Sequence, residues 1–401
     1  MNDNLALVLN CGSSSIKFAV VDPNGRQLLL TGLAERLNSS EAELSYKFND
    51  NKSSEVLGKA DHYTALQRII ALLRKETDFE TRLSVIGHRV LHGGARFVQS
   101  TLINAEVEQA IEECSIFGPL HNPANLLGIR AAKRAFPNLP QVAVFDTAFH
   151  QTMPDHVFNY AIPYELSTKH GLRKYGFHGT SHHYVSQRAI EILQLPTNDN
   201  ALIIAHLGNG SSVSAVLNGC SVDTSMGLTP LEGLMMGTRS GDLDPSLVIH
   251  LINNLGYQPD EIDNLLNKQS GLLGVSGVSS DMRNIIAANK QGNRRAELAF
   301  EMFCYRVAKY IASYIVPLGR IDALVFTGGI GENSENVRSR IITWLAGLGF
   351  RLDSQRNGND GKNSNSIITS ENCQPIAMVV PTNEELMIAI ESYKVASTAA
   401  Y

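Results

Sequence analysis

The sequence is short of cysteine, of tryptophan and of long apolar runs, and each shortage rules against a class of protein. Five cysteines in 401 residues (Cys11, Cys114, Cys220, Cys304, Cys373) are an odd number, and none stands in a CxxC pair. That argues against a disulfide framework or a zinc ribbon and for reduced thiols in a cytoplasmic protein. No uninterrupted apolar stretch reaches the ~20 residues that a membrane span requires, and no basic N-terminal segment leads into a signal-type core. No membrane partner is expected. Neither sign of charge dominates: 34 basic and 39 acidic residues leave −5, so no general attraction to nucleic acid follows. Three motifs are missing as well: GxxxxGK[ST], GxGxxG and HExxH. The first two absences remove the P-loop and the dinucleotide fingerprint, and the third speaks against a zinc hydrolase.

What is present is an ordinary globular composition, 43% apolar and 18% charged, long enough for two domains. Strand-like and helix-like periods alternate throughout, which predicts an α/β fold. Strands are expected at 5–10 and 16–22, with a turn at Pro23, Asn24 and Gly25 and a continuation at 27–31. A helix is expected over 61–76, capped by Asp61, with Leu66, Ile69, Ile70 and Leu73 on one face. Strands follow at 83–90 and 141–146, and Asn122 with Pro123 reads as cap and first-turn proline of a helix reaching Phe136.

The second half restarts the pattern with a strand at 201–206, a GNGSS turn at 208–212 and a strand at 213–217. Aligning Ser14, Ser15 and Ile16 with Ser211, Ser212 and Val213 also aligns Leu7 with Ile204. The match suggests an internal duplication, although two unrelated hairpins with Gly-Ser turns would align equally well. Asp244 and Pro245 open a helix that Gly256 stops. A longer one spans about 294–316, with Phe300, Phe303, Val307, Ile311 and Tyr314 inward. After a strand at 323–327 come a helix at 334–346 carrying the one tryptophan, Trp344, and a segment at 355–366 that reads as an exposed loop. A strand at 376–380 and a helix at 384–395 finish the chain.

Four small-residue turns could carry chemistry. In NCGSSSIK, 10–17, backbone N–H groups and the hydroxyls of Ser13 and Ser15 can face an anion, Lys17 adds charge, and Asn10 offers a neutral oxygen to hydrated Mg²⁺. Alone, this is equally a plain hairpin. HLGNG at 206–210 is a second such turn. TGGIGEN at 327–333 lets backbone approach a base or ribose, and 271–277 is similarly small before Asp281. Two phosphate turns and an adenosine turn in this order describe the nucleotide cleft of the actin, Hsp70 and sugar-kinase class.

Longer runs narrow the reading further. GHRVLHGG (87–94), PLHNP (119–123), FDTAFH (145–150), YGFHGTSH (175–182), DTSMGLTPLEG (223–233), MGTRSGD (236–242) and PTNEEL (381–386) occur in the order found in acetate kinases. From residue 5 to about 389 the chain resembles that family. The resemblance implies phosphoryl transfer between Mg-ATP and acetate, giving ADP and acetyl phosphate, by a homodimer. It implies two similar domains of the duplicated, ribonuclease H-like actin/Hsp70/sugar-kinase fold around an interdomain cleft. One would be 1–148 with about 385–401, on the phosphate-turn and acyl side. The other would be 149–384, for nucleotide binding and dimerisation.

Residue by residue, the resemblance gives Asp146, His178 and Arg239 catalytic roles and sets Arg89 on the substrate side. Its acyl pocket falls on Leu91, Leu120, Phe177 and Pro230. ATP contacts fall on Lys17, on His206, Leu207, Gly208, Asn209 and Gly210, on Asp281, Met282 and Arg283, and on Gly329, Ile330, Gly331, Glu332 and Asn333. Asn10 and Glu384 would serve Mg²⁺, with Mn²⁺ a substitute, and His121 would reach the phosphoryl. The chemistry agrees in kind, because a guanidinium fork holds carboxylate or phosphate bidentately and phosphoryl transfer depends on positioning and charge stabilisation. A literal base at Asp146 fits poorly: a substrate carboxylate with pKa near ~4.3 has no proton to give at neutrality, so Asp146 is expected to orient arginine or metal-bound water. At the first pocket position Leu91 stands where valine is usual, which favours acetate over propionate. Propionate or butyrate kinase is the alternative within the enzyme class, and a non-catalytic nucleotide switch is the alternative outside it.

Overall fold

The computed structural model describes residues 4–119 and 121–399. The chain forms two compact units: one runs up to Gln151 and resumes at Asn383, and the other is Thr152–Thr382.

The first unit is built on an eight-stranded sheet. Its strands are β1 (Leu5–Gly12), β2 (Ser15–Asp22), β3 (Gln27–Glu35), β4 (Ala42–Phe48), β5 (Asn51–Gly58), β6 (Leu83–Val90), β7 (Thr101–Leu102) and β8 (Gln141–Phe145), in the order β5-β4-β3-β2-β1-β6-β8-β7. Leu5 to Leu9 are buried at every position, as a central strand covered on both faces must be. The polar β5 is exposed along nearly its whole length and takes an edge. β1 pairs antiparallel with β2 and parallel with β6, and β6 pairs parallel with β8. Helix His62–Glu76 starts where expected, the Asp61 carboxylate accepting from the Thr64 amide at 2.7 Å.

Helix Asn122–Ala135 departs from the sequence reading in one respect. Asn122 is not its cap. Its side chain is fully buried, where Oδ1 accepts from the His92 amide and Nδ2 donates to the carbonyls of His92 and Ile111. The final helix, Glu384–Ala399, returns to lie on β6, where Gly87 leaves it room: a methyl group there would meet Ser392 Oγ at 2.4 Å.

The second unit has five strands, β9 (Ala201–Leu207), β10 (Ser211–Leu217), β11 (Cys220–Thr224), β12 (Ala323–Thr327) and β13 (Ile376–Val379), in the order β11-β10-β9-β12-β13. β9 is antiparallel to β10 and parallel to β12, which is parallel to β13. This repeats the order and directions of β3-β2-β1-β6-β8. The repeat is thus one of topology, and it is the duplicated α/β fold of the actin/Hsp70/sugar-kinase class.

Three further expectations change in this unit. The long helix ends at Ser313, not near 316, because Pro317 lacks an N–H and its ring would crowd the carbonyl four residues back. Phe300, Phe303, Val307, Ile311 and Tyr314 do face the core. Residues 271–276 form a short helix, Gly271–Ser276, where a turn was expected, and Gly277 ends it at φ +65°. The segment read as an exposed loop contains helix Ser354–Gly358, and Asn357 within it is buried.

Candidate active site

In the first unit, β6 and β8 run side by side with Val90 opposite Phe145, and the Asp146 amide donates to the Val90 carbonyl at 2.9 Å. That register brings Arg89 and Asp146 together at the C-terminal ends of two parallel strands, where α/β sheets place their ligands. Arg89 donates from Nε to Asp146 Oδ1 at 3.0 Å and from Nη2 to Oδ2 at 2.6 Å. The Asp146 side chain is 1% exposed and that of Arg89 24%. Glu384, first residue of the last helix, brings Oε2 to 3.6 Å from Arg89 Nε. Burial alone would lower the Arg89 guanidinium, but Asp146 and Glu384 outweigh it and hold the charge above the ordinary arginine value. Burial raises the Glu384 carboxyl, an effect that Arg89 opposes and Asp146 adds to.

Around this pair, Lys17 meets Glu385 in an ion pair. Asn10 lies opposite Lys17 in the β1–β2 register, and Ser15 opposite Gly12 where the hairpin closes. Ser13 is exposed in the turn, and His121 is exposed just before helix Asn122–Ala135. Leu120 lies outside the described residues. Leu91 is half-buried, and a methyl group on Gly118 would meet its Cδ2 at 3.0 Å. His88 is a core residue bonded to Gln141 Oε1 at 2.7 Å, and burial pushes its pKa down to about 4.

The second unit assembles another set. The Gly208 amide donates to the Gly210 carbonyl at 3.1 Å and to Ser211 Oγ at 3.2 Å, closing the turn between β9 and β10. His178 sits at φ +57°, ahead of helix Gly179–Leu193, with Nδ1 3.0 Å from Ser212 Oγ. Its ring stacks on His206 at 4.3 Å, and His206 Nδ1 is 2.8 Å from Ser181 Oγ. A methyl group on Gly210 would lie 3.4 Å from both Arg239 Nη1 and His178 Nε2, so guanidinium and imidazole both border the turn. Arg239 Nη1 also donates to the Pro230 carbonyl at 3.2 Å. Among the described residues no carboxylate pairs with Arg239, and burial lowers its pKa. Phe177, next to His178, is buried.

A cavity of about 1120 Å³ opens in the same unit. Of the expected ATP contacts, Gly208, Asn209, Asp281, Met282, Arg283, Gly329, Ile330 and Asn333 line it. Leu207 is committed to the core, and Glu332 turns back to accept the amides of Gly328 at 3.0 Å and Thr382 at 3.1 Å. His206, Gly210 and Gly331 are not in its wall. Asp281 caps helix Met282–Lys290 through the Arg283 amide and pairs with the exposed Arg283 side chain at 2.5 Å.

Two supporting residues escaped the sequence reading. Asn125 joins two segments of the first unit, its Oδ1 accepting from the Leu91 amide at 3.1 Å and its Nδ2 donating to the Cys11 carbonyl at 2.8 Å. Its signal was an amide three residues after Asn122, on a helix face shared with Leu126 and Ile129. Arg338 is fully buried, donating to Asn357 Oδ1 and the carbonyls of Gly331, Glu332 and Asn357 at 2.7 to 3.0 Å, and to Asp360 Oδ1 at 2.7 Å. It ties the floor of the cavity near Gly329 to the wall at Gly358 and Asp360. An arginine one turn before Ile341 and Ile342, on the buried face, was the available clue.

Comparison with known proteins identifies the family. The acetokinase family model matches residues 5–390. The acetate kinase of Shewanella amazonensis is 52% identical over 396 residues, covering 98% of this chain and 99% of its own. A crystal structure of a propionate kinase from Francisella tularensis superposes with a TM-score of 0.93 at 50% identity, over 98% of this chain and 100% of that one. That of Porphyromonas gingivalis acetate kinase gives 0.91 at 43% identity, over 98% and 99%. The chain belongs to the acetokinase family and is a kinase that transfers phosphate to a carboxylate.

Proposed function

We propose that the protein catalyses reversible, direct in-line transfer of the γ-phosphoryl group between ATP and acetate. The observation that carries this is Arg239, a half-buried guanidinium with no described carboxylate partner, which borders the Gly208–Gly210 turn together with His178. A desolvated cation is stabilised by an anion that arrives, and phosphoryl transfer spreads charge over three equatorial oxygens. Arg239 and His178 would bear on those oxygens. Arg89, with Nε and Nη2 given to Asp146, keeps Nη1 for the substrate carboxylate. Asp146 then acts as a positioning residue, which needs no proton from the substrate. Leu91, Leu120, Phe177 and Pro230 would form the acyl pocket, and the cavity beside Ile330 would take the nucleoside.

Asn10 and Glu384 supply an amide oxygen and a carboxylate, the hard donors that Mg²⁺ or Mn²⁺ takes alongside phosphate and water oxygens. When bound, such an ion neutralises charge on the β- and γ-phosphates. A homodimer in the cytoplasm completes the reading. Helix Pro245–Leu255 supports the dimer: it has no buried residue, yet Leu247, Ile249, Ile252 and Leu255 stand exposed on it. Light scattering reads the oligomeric state.

Trapping with hydroxylamine tests the activity. Acetate, Mg²⁺ and ATP should give acetohydroxamate, with propionate and butyrate slower. Absence of any hydroxamate would remove the kinase reading, and a higher kcat/KM for propionate would exchange its substrate.

A further inference from the structure

Tyr160, Glu232 and Lys174 form a polar cluster beneath the segment that carries Pro230. Tyr160 Oη donates to Glu232 Oε2 and accepts from the Leu228 amide at 2.8 Å. Lys174 Nζ lies 3.5 Å from Glu232 Oε1 and donates to the Thr224 carbonyl at 2.9 Å, with Asp223 at 3.9 Å. Between them Gly227 has no room for a side chain: a methyl group would meet Glu232 Oε2 at 1.7 Å and Tyr160 Oη at 2.2 Å. Burial and the neighbouring Glu232 both raise the Tyr160 hydroxyl, which keeps it a donor.

The contacts of this cluster lead to the site by two routes. Gly227, held at its centre, gives its carbonyl to the amides of Tyr175 at 3.0 Å and Gly176 at 3.2 Å, three and two residues ahead of His178. Glu232 and Leu228 flank Pro230, whose carbonyl receives Arg239 Nη1 at 3.2 Å. The next peptide is fixed as well, since Asp242 Oδ1 accepts from the Gly233 amide at 2.8 Å and Asp242 Oδ2 from Tyr310 Oη at 2.5 Å. His178 in the left-handed region is a conformation that its surroundings must impose, and Arg239 has no carboxylate partner among the described residues to set it.

We propose that Tyr160, Glu232 and Lys174 act as positioning residues for phosphoryl transfer, setting Arg239 through Pro230 and His178 through Gly227. None of the three touches substrate in this account. The inference rests on the carboxylate-kinase reading above. It makes the cluster a determinant of the transfer step and not of nucleotide affinity, because none of its three residues lines the cavity.

Steady-state kinetics of Glu232→Gln, Tyr160→Phe and the double variant test it, with ATP binding measured separately by calorimetry without acetate. Each single variant should lower kcat/KM for acetate by ~10- to 100-fold, the cost of a small misplacement. ATP affinity should stay within about twofold. The double variant should be no worse than the poorer single one, as residues acting as a unit are. Acetate kinetics unchanged in all three variants overturn the proposal, and so does a parallel loss of acetate turnover and ATP affinity, the mark of general loosening. If the unaltered protein yields no hydroxamate, the kinase reading itself fails and the cluster's role falls with it.

Discussion

Arg89 gives Nε to one oxygen of Asp146 and Nη2 to the other, and so reaches the end of β6 with one edge of its guanidinium already fixed. The two residues come together because Val90 and Phe145 are paired neighbours on parallel strands. Asp146→Asn preserves the shape and removes the charge that aims the fork. We expect kcat/KM for acetate to fall ~10²-fold, in line with loss of orientation. The acid limb of the pH–rate profile should keep its position, which a proton-transferring Asp146 would not allow. Nearly full activity in Asp146→Asn would leave the residue without a role.

Glu384 predicts a pH dependence of stability. Burial, only partly offset by Arg89, holds its carboxyl above the ordinary value. Its contribution to stability is therefore full below the unfolded-state pKa and is lost as pH rises through the folded one. Glu384→Gln removes a penalty that exists only on the alkaline side. In thermal melts with chelator present, the difference in Tm between variant and wild type should become more positive from about pH 4 to about pH 7. A difference that is flat or falls with pH contradicts the assignment. Activity of the variant should drop, since the carboxylate is lost.

The acyl pocket gives a specificity prediction. Leu91 packs against Gly118 and is held by Asn125 through its amide. Leu91→Ala should move preference toward propionate by about 1–3 kcal/mol in relative kcat/KM. Competition between the two acids in a single trapping assay reads the ratio directly.

Arg338 yields the largest expected loss of stability. Arg338→Met would leave buried acceptors at Gly331, Glu332 and Asn357 unmatched, at a cost of about 3 kcal/mol. KM for ATP should rise, because Asp360 and Gly358 would lose their tie to the cavity floor. Arg338→Lys should not restore it, since one ammonium cannot span acceptors arranged for a planar fork. Denaturation midpoints and nucleotide titration measure the two effects.

The difference between what was legible in the chain and what was not follows from where the relevant contacts lie. Strands with continuous apolar runs, such as β1 and β9, and helices opened by Asp61 or Asp244 depend on neighbours within a few residues, so their patterns are local. Asn122, Asn125, Arg338 and Glu232 depend on segments brought together only by folding. A polar side chain on an otherwise apolar helix face looks the same in sequence whether it meets solvent or a buried carbonyl. Composition misled in the same way at Asn357, where a run rich in Asn and Gly has the make-up of an exposed loop but supports a buried guanidinium. The candidate site was readable because its residues sit in long, distinctive runs, whereas the side chains that support them are scattered singly.

Direct transfer from nucleotide to carboxylate is read by phosphorus NMR of a mixture of the protein, ATP, Mg²⁺ and acetate. An acyl phosphate resonance should grow in step with ADP and be absent when acetate is omitted. ADP accompanied only by inorganic phosphate, at a rate indifferent to acetate, would contradict it and mark a nucleotide-hydrolysing switch.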